Sequence, residues 1–231
     1  GLKLEQAKRA LARGTRGEAG FLDAASAATV ARAYGIPVPE EVLAGTPDQA
    51  AAAARKLGYP VVLKLASPDI PHKSDVGGVA LNLQAEAEVR QAFDRILAQA
   101  GAARPEARLH GVTVQPMLAS GQEVIVGVVR DDQFGPLVMF GSGGVEVEGL
   151  KDLAFALTPL SRGETEAMFE GTWAGRRLKG FRNIPPADRE AAIEVLRRLA
   201  QLADDLPQIS EIEVNPLRVF PGKGGAVALD V

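Results

Sequence analysis

The sequence has 231 residues, of which 46% are hydrophobic and 24% are charged, and this composition excludes a largely disordered protein. Its 26 basic and 29 acidic side chains give a net charge of −3, which argues against a general nucleic-acid binder. The chain has no cysteine and two histidines. This excludes disulfide bonds, a cysteine nucleophile and a zinc site built from three or more histidines.

The predicted elements mix helices and strands. In chain order they are a helix at 2–13, a linker at 14–20, a helix at 23–34, a strand at 41–44, a helix at 47–57, a strand at 60–66, the strand VALNL, a helix at 85–100, the strands VTVQPM, EVIVGVVRD and LVMFG, a strand at 153–157, a helix at 161–170, a long helix from Pro185-Pro186 to about Leu206, and a hairpin of ISEIEVNPL with AVALDV. Several neighbouring strands are joined by short turns, so the pattern predicts an α+β fold rather than a purely parallel sheet.

The ends of the chain and its lack of long apolar runs give two further expectations. No signal peptide opens the sequence and no apolar run is long enough for a membrane span, so we expect a cytoplasmic protein that does not bind membranes. The first residue is Gly1 rather than Met, and residues 1–20 form an N-terminal helix and linker. We therefore expect a part of a longer polypeptide.

Lys64 is the charged residue of the otherwise apolar strand VVLKL. A charged side chain in such a strand must reach solvent, pair with another charge or contact a ligand. The pattern alone leaves open whether Lys64 lies on a solvent-facing strand surface or binds a phosphate.

The loop DIPHKSDVGG, at 69–78, concentrates reactive side chains close to Lys64. Gly77 and Gly78 allow backbone N–H groups to approach phosphate oxygens, and Lys73 adds a positive charge. Histidine titrates near neutral pH, so an unprotonated His72 can attack a phosphorus centre. A simple surface turn also fits this loop.

The stretch GVTVQPMLASGQEVIVGVVRD contains a hinge between two strands. One strand ends at Gln115-Pro116-Met117, and Glu123 opens the next one after a loop. Such a hinge can offer main-chain groups to an adenine edge and a carboxylate to ribose hydroxyls. A hairpin with a wide loop is the alternative.

The C-terminal strand EIEVNP carries polar residues at every second position. Period-2 geometry puts Glu211, Glu213 and Asn215 on one face, and Asp230 lies on the partner strand of the predicted hairpin. Carboxylate and amide oxygens are the ligands that Mg²⁺ prefers, so these residues indicate a metal site. A solvated polar face is the alternative, above all for Glu211.

Taken together and in this order, these segments resemble the ATP-grasp domain of NDP-forming acyl-CoA synthetases. The near relatives are β subunits of ADP-forming acetate–CoA ligases, and succinyl-CoA synthetase β is more distant. The matching stretches, which extend from Phe21 to Val231, are YGIPVPE, GYPVVLKLASPDIPHKSDVGGV, GVTVQPML with GQEVIVGVVRD, FGSGGVEVEGLKD with LTPL, and EIEVNPL. The resemblance implies an ATP-grasp domain at 21–231 that holds a nucleotide between two α+β lobes, a small one at about 40–115 and a large one at about 116–231.

The resemblance also implies a role for each candidate residue. His72 is the catalytic residue that accepts a phosphoryl group, and ATP/ADP and Mg²⁺ are the expected cofactors. The nucleotide-binding residues that the resemblance implies are Lys64, Gln115, Leu118 and Glu123, and the chemistry of the loop at 69–78 adds Lys73, Gly77 and Gly78. The metal site that the resemblance implies comprises Asn215 and Asp230 with Glu213 close by. The loop Gly141–Gly144, with Glu148 and Asp152, matches a family motif whose role the sequence leaves open.

The sequence departs from complete members of this family in two ways. No GxGxxG follows a strand, so the CoA-binding Rossmann-like domain is missing, and His110 in a generic loop does not match the family's second phosphorylated histidine. We therefore expect CoA chemistry to need a CoA-binding α-type subunit or a fused domain.

The implied function is the phosphoryl-transfer component of an ADP-forming acid–CoA ligase, with a phosphohistidine intermediate on the His72 loop. Two other classes are compatible with an ATP-grasp domain. One is a non-catalytic ATP-sensing module, for example fused to an acetyltransferase. The other is a ligase that phosphorylates its carboxylate substrate directly and does not need His72.

Overall fold

The computed structural model describes residues 3–14, 16–17, 20–143 and 152–231. The helices are α1 (Leu4–Arg13), α2 (Ala24–Ala33), α3 (Pro47–Leu57), α4 (Glu86–Ala103), α5 (Arg162–Gly171), α6 (Trp173–Arg177) and α7 (Arg189–Asp205), and a short 3-10 helix covers Lys73–Val76. The strands are β1 (Val42–Ala44), β2 (Val61–Leu65), β3 (Val79–Leu83), β4 (Val112–Pro116), β5 (Gln122–Asp131), β6 (Gly135–Ser142), β7 (Leu153–Leu157), β8 (Glu211–Val219) and β9 (Ala226–Ala228).

The strands form two separate sheets. The first has the order β1-β4-β2-β3 and the second has the order β7-β6-β5-β8-β9. Neighbouring strands are antiparallel in both sheets. The predicted α+β class is confirmed.

The chain divides into two compact units, which we call the small unit and the large unit. The small unit comprises residues 10–27 and 39–118, and the large unit comprises residues 1–9, 28–38 and 119–231. Each unit contains one of the two sheets and its own buried hydrophobic cluster.

The core of the small unit lies between one face of its sheet and helices α3 and α4. Val61, Leu63 and Leu65 alternate along β2 and are almost completely buried. Alanines of α3 and the large side chains Phe93 and Ile96 of α4 complete this cluster. Alternation therefore leaves Val62 and Lys64 on the other face of the sheet.

The core of the large unit lies between its sheet and helices α5 to α7. The apolar stripe of α7, which includes Leu196 and Leu199, is fully buried against the sheet. Phe140 of β6 stacks on Phe169 of α5 with ring centroids 3.8 Å apart. The buried face of this sheet fixes which side chains of β8 point away from the core.

Residues 34–37 are fixed to the large unit, although the small unit follows them in sequence. The buried Tyr34 hydroxyl donates a hydrogen bond to Asp205 Oδ2 at 3.0 Å, and Arg198 Nη1 donates to the carbonyls of Tyr34 and Gly35. Burial and the neighbouring Asp205 carboxylate together raise the pKa of Tyr34 well above its usual value. The Ala228 N–H donates to the Pro37 carbonyl at 2.8 Å.

Local signals account for most helix ends. Thr46 caps α3, and Ser161 forms a capping box with Glu164 at the start of α5. The prediction that the long helix opens at Pro185-Pro186 is wrong, because α7 begins at Arg189 after Asp188, whose side chain accepts the Ala191 N–H. The sequence also did not predict the one-turn elements at 73–76 and 173–177.

None of the helices in the described parts of the chain is both long enough and apolar enough to cross a lipid bilayer.

Candidate functional site

Strand β8 carries two of the predicted metal ligands on the face turned away from the core. Val214 is fully buried in the core of the large unit and Ile212 packs against it. Because side chains alternate along a strand, Glu213 and Asn215 lie on the opposite face. Both side chains are half-buried.

A bulge interrupts β8 at Asn215, the second residue of this pair. Val124 of β5 pairs with Leu217, whereas Val126 pairs with Val214, so β8 has one extra residue, which falls at Asn215-Pro216. A bulge re-aims side chains and is frequent beside functional sites. The sequence did not predict it, because the register of β5 against β8 is a tertiary property.

The structure brings Asn215 and Asp230 together. The Asn215 N–H donates to the Asp230 carbonyl at 3.2 Å, and the Leu229 N–H donates to the Pro216 carbonyl at 3.0 Å. The predicted C-terminal hairpin is thus present, and the segment after β9 continues to pair with β8 as far as Asp230. An amide oxygen and a carboxylate on neighbouring segments, with Glu213 nearby on β8, suit a hard cation such as Mg²⁺.

Asn215, Asp230 and Glu213 offer a metal ion only a small number of protein ligands. The described ranges contain no group of three or more histidine, cysteine, aspartate and glutamate side chains that could hold a metal ion. Mg²⁺ commonly binds through one or two carboxylates together with phosphate oxygens and water. The donor set at Asn215 and Asp230 fits that kind of site and does not fit a closed structural metal site.

Glu123 already has a cationic partner. It lies opposite Arg218 in the β5–β8 pair, and Arg218 Nη2 donates to Glu123 Oε1 at 2.6 Å. Arg177 Nη2 donates to the main-chain carbonyl of Glu123 at 2.9 Å. The Glu123 carboxylate is therefore held in place, and its contact with a ribose stays a prediction.

Gln115 is buried near the end of β4, with an exposed fraction of 3%. Its Oε1 atom accepts no hydrogen bond from any described residue. Buried polar atoms are nearly always hydrogen-bonded, so an unsatisfied one needs an explanation, and a ligand donor is one such explanation. Leu118 is half-buried three residues later, where the small unit ends.

Lys64 lies on the face of the small sheet opposite its core. It is half-buried between Thr113 of β4 and Val79 of β3, its partners in the sheet register. The loop at 69–78 returns to the sheet beside it, because the Gly78 carbonyl accepts the Leu65 N–H at 2.7 Å. Lys64 is therefore adjacent to the point where this loop ends.

His72 lies on the exposed part of the loop, immediately before the 3-10 helix. Gly77 has a positive φ of 67°, which suits glycine and closes the turn. The N–H groups of Gly77 and Gly78 donate to the carbonyls of Ser74 and Lys73 at 3.1 and 2.8 Å. In this arrangement the two N–H groups stabilise the turn itself, and their contact with a phosphate stays a prediction.

Asp152 connects three segments of the large unit. Its carboxylate accepts the N–H groups of Trp173 and Ala174 at 2.6 and 2.8 Å and the Ser142 hydroxyl at 2.7 Å. Burial by itself raises the pKa of Asp152, but these hydrogen bonds and the charge of Arg176 outweigh it, so the pKa lies below its usual value.

The glycines of the family motif lie against neighbouring backbone. A Cβ atom on Gly141 would come 1.9 Å from the Asp152 carbonyl oxygen, and one on Gly143 would come 2.4 Å from Val124 C. These two residues are therefore required to be small. Gly144 and Glu148 of the same motif lie outside the described residues.

Comparison with known proteins identifies the family of the chain. The ATP-grasp domain family matches residues 13–231. The β subunit of ADP-forming acetate–CoA ligase I from Pyrococcus furiosus is 42% identical over 87% of this chain and 86% of its own length. ADP-forming acetate–CoA ligase I of Archaeoglobus fulgidus is 47% identical over 83% of this chain, and the match spans 28% of that longer protein.

A solved structure shows the same fold. It is the dinucleotide-forming acetyl-coenzyme A synthetase 1 of Ca. Korarchaeum cryptofilum in complex with coenzyme A and Mg-AMPPCP. It matches with a TM-score of 0.79 and 36% identity, covering 99% of this chain and 97% of that one. Its phosphohistidine segment points towards the nucleotide-binding site. The resemblance and the ATP-grasp fold predicted from the sequence are confirmed.

Proposed function

The chain belongs to the ATP-grasp domain family, and from this membership we propose that it is the phosphoryl-transfer component of an ADP-forming acid–CoA ligase. The whole reaction converts an acid, CoA and ATP into acyl-CoA, ADP and phosphate. The match spans 86% of the Pyrococcus furiosus β subunit but 28% of the longer Archaeoglobus fulgidus ligase. We therefore propose that a CoA-binding α-type subunit or domain completes the reaction.

His72 is the phosphoryl acceptor in this proposal. A lone pair of an unprotonated imidazole nitrogen attacks the terminal phosphorus of ATP, a P–N bond forms, the bond from that phosphorus to the bridging oxygen breaks, and ADP leaves. The phosphoryl group then passes from His72 to the acyl substrate on the CoA-binding partner. The exposed position of His72 on a turn fixed at both ends is the observation that supports this role.

The other candidate residues bind and orient the nucleotide. We propose that Lys64 donates to its phosphates and that Gln115 Oε1 accepts a hydrogen bond from its base. Asn215 and Asp230, with Glu213, would hold a Mg²⁺ ion, which supplies positive charge against the charge that builds up on the transferring group. We propose that the small and large units correspond to the two lobes expected from the sequence.

The two alternatives receive less support. An ATP sensor needs no nucleophile, whereas this chain retains His72 on an exposed turn, and the similar curated proteins are ligases. Direct phosphorylation of an acid by this chain alone would leave His72 without a role.

A labelling experiment tests the proposal. The chain is mixed with γ-labelled ATP and Mg²⁺, and the protein-bound, acid-labile label is measured for wild type, His72→Ala and His110→Ala. The chain has only these two histidines, so His110→Ala is a matched control. We expect label on wild type and His110→Ala and none on His72→Ala.

Other outcomes would contradict the proposal in distinct ways. Equal labelling of His72→Ala would eliminate the phosphohistidine role of His72. Thermal stabilisation by nucleotide without any label would indicate a sensor. Stimulation of ADP release by a free acid, in this chain alone and in His72→Ala, would indicate direct phosphorylation of the acid.

A further inference from the structure

The loop that carries His72 leaves the sheet of the small unit at the end of a two-stranded ribbon. Pairing of β2 with β4 continues past both strands, because the Ala66 N–H donates to the Gly111 carbonyl at 2.9 Å and the His110 N–H donates to the Ala66 carbonyl at 2.8 Å. The segments at 66–69 and 108–111 thus run side by side. The ribbon ends at Arg108, whose backbone N–H donates to the Asp69 side chain rather than to a backbone carbonyl.

Asp69 and Arg108 form the last link of this ribbon. The Arg108 N–H and Nε both donate to Asp69 Oδ2 at 2.8 Å, and Arg108 Nη2 donates to Oδ1 at 2.6 Å. The Asp69 side chain is only 12% exposed, whereas that of Arg108 is 49% exposed. A bidentate pair with a largely buried carboxylate and an added main-chain bond fixes orientation better than an ordinary surface ion pair does.

The same arginine also ties the N-terminal segment to the start of the loop. Arg108 Nη2 donates to the Arg16 carbonyl at 3.1 Å. A Cβ atom on Gly17 would lie 2.0 Å from the Pro68 carbonyl oxygen, so the two backbones are in direct contact there. Arg108 therefore joins three segments of the small unit at one point.

The stretch between the two anchors of the loop is short. Ile70 is 4% exposed and packs in the core of the small unit, and Gly78 is buried and bonded to Leu65. Between these fixed points lie residues 71–77, and His72 is the second residue of this stretch. Asp69 directly precedes Ile70, so the Asp69–Arg108 pair and the buried Ile70 side chain together set the direction in which this stretch begins, and His72 follows three residues after Asp69.

We infer that the Asp69–Arg108 pair is a positioning pair, which sets the direction in which the His72 loop leaves the sheet of the small unit and so the rate of phosphoryl transfer to His72. This inference rests on the proposed function for its kinetic consequence. The pair does not contact the reacting atoms and acts through the loop. Ile70 still anchors the loop when the pair is broken, so the variants are expected to fold.

Single-turnover phosphorylation tests the inference in the full chain. The rate of label incorporation from γ-labelled ATP is measured over a range of Mg-ATP concentrations for wild type, Arg108→Ala, Arg108→Lys and Arg55→Ala. Arg55→Ala is the matched control, because it also removes an arginine–carboxylate ion pair of the small unit. The partner of Arg55 is Glu86, which is not part of the loop. Loss of alignment predicts a maximal rate about tenfold lower in Arg108→Ala.

A structural role alone would give a different pattern. The positioning role predicts an unchanged half-saturating Mg-ATP concentration in Arg108→Ala, partial recovery of the rate in Arg108→Lys and a wild-type rate in Arg55→Ala. A wild-type maximal rate in Arg108→Ala, even with a lower melting temperature, would overturn the inference.

A second readout separates this inference from the proposed function. Hydrogen exchange of the Asp75, Gly77 and Gly78 amides, which are hydrogen-bonded within the turn, is compared in the same variants. Faster exchange in Arg108→Ala than in Arg55→Ala supports the positioning role even if wild type forms no phosphohistidine, an outcome that would refute only the proposed function. Equal exchange in the two variants would overturn the positioning role.

Discussion

Gln115 combines near-complete burial with a side-chain carbonyl oxygen that no donor among the described residues satisfies, a combination that costs stability. A buried acceptor without a donor loses about 1–3 kcal/mol of hydration free energy. Proteins keep such groups chiefly where a ligand or a water satisfies them. For Gln115 the proposed ligand is the base of the nucleotide.

Replacing Gln115 with leucine should therefore affect stability and binding in opposite directions. We expect Gln115→Leu to raise the free energy of unfolding without nucleotide by about 1 kcal/mol, because the unsatisfied acceptor is removed. We expect ADP affinity to fall about tenfold, since one buried hydrogen bond is lost. Urea denaturation and calorimetric titration measure the two effects.

Gln122 provides a matched control for this experiment. Its Oε1 is also buried and accepts no hydrogen bond from the described part of the chain, but its Nε2 donates to the carbonyls of Arg177 and Pro185 at 3.1 and 2.9 Å. Gln122→Leu should therefore destabilise the chain. A Gln115→Leu variant that is less stable and binds ADP normally would show that Gln115 is a structural residue.

At the scale of elements, the one-turn helix α6 depends on a side chain that is distant in sequence. Its five residues are too few to form an isolated helix. The Asp152 carboxylate accepts two of its first N–H groups, and the Ser142 hydroxyl binds the same carboxylate. An anion at a helix N-terminus satisfies donors that have no partner within the helix.

We expect Asp152→Ala to lower the free energy of unfolding by about 2–3 kcal/mol, because three donors lose their acceptor. The pKa of Asp152 is lowered in the folded state. The stabilisation that depends on the charge of Asp152 is therefore complete at pH values above the usual pKa of a carboxyl group. It is lost as the pH falls through the lowered pKa of the folded state.

Urea denaturation from pH 7 down to pH 3 measures this dependence. The difference in stability between wild type and Asp152→Asn should shrink as the pH falls. Asp132→Asn, on the exposed turn between β5 and β6, should behave like wild type throughout. A difference between wild type and Asp152→Asn that stays constant over this range would contradict the role of the charge.

Most elements could be predicted from the sequence because their signals are local. Thr46-Pro47 starts α3, Gly58 ends it, and alternation in β2 and β8 correctly assigns which side chains enter a core. The start of α7 was misplaced because two prolines resemble a helix start, whereas the capping residue is Asp188.

The features that were missed depend on partners far along the chain. The bulge at Asn215 requires the register with β5, and α6 requires Asp152. The Asp69–Arg108 pair joins residues 39 positions apart, and neither residue has a sequence pattern that marks it. At the candidate site, residue type and spacing predicted His72 and the Asn215–Asp230 pair, whereas the partner of Glu123 and the turn bonds of Gly77 could not be inferred.

At the scale of the whole molecule, the candidate residues are distributed over both units. Lys64, His72 and Gln115 belong to the small unit, whereas Asn215 and Asp230 belong to the large unit. Each set lies on a scaffold with its own buried core. A ligand that binds the folded chain but not the unfolded one raises the stability of the whole chain by mass action.

Thermal unfolding of the whole chain therefore reports on the metal site. A nucleotide at about 100 times its Kd adds about 2.7 kcal/mol, which for a chain of this length is a rise in Tm of about 5–10 °C. We expect a larger rise with Mg²⁺ and a non-hydrolysable ATP analogue than with the analogue and a chelator. Asp230→Asn should lose this Mg²⁺-dependent increment, because the amide no longer supplies the negative charge that the cation prefers. Glu211→Gln, at the exposed start of β8, is the control and should keep it. If Asp230→Asn kept the full increment, or if Glu211→Gln lost it, the metal would lie elsewhere in the protein.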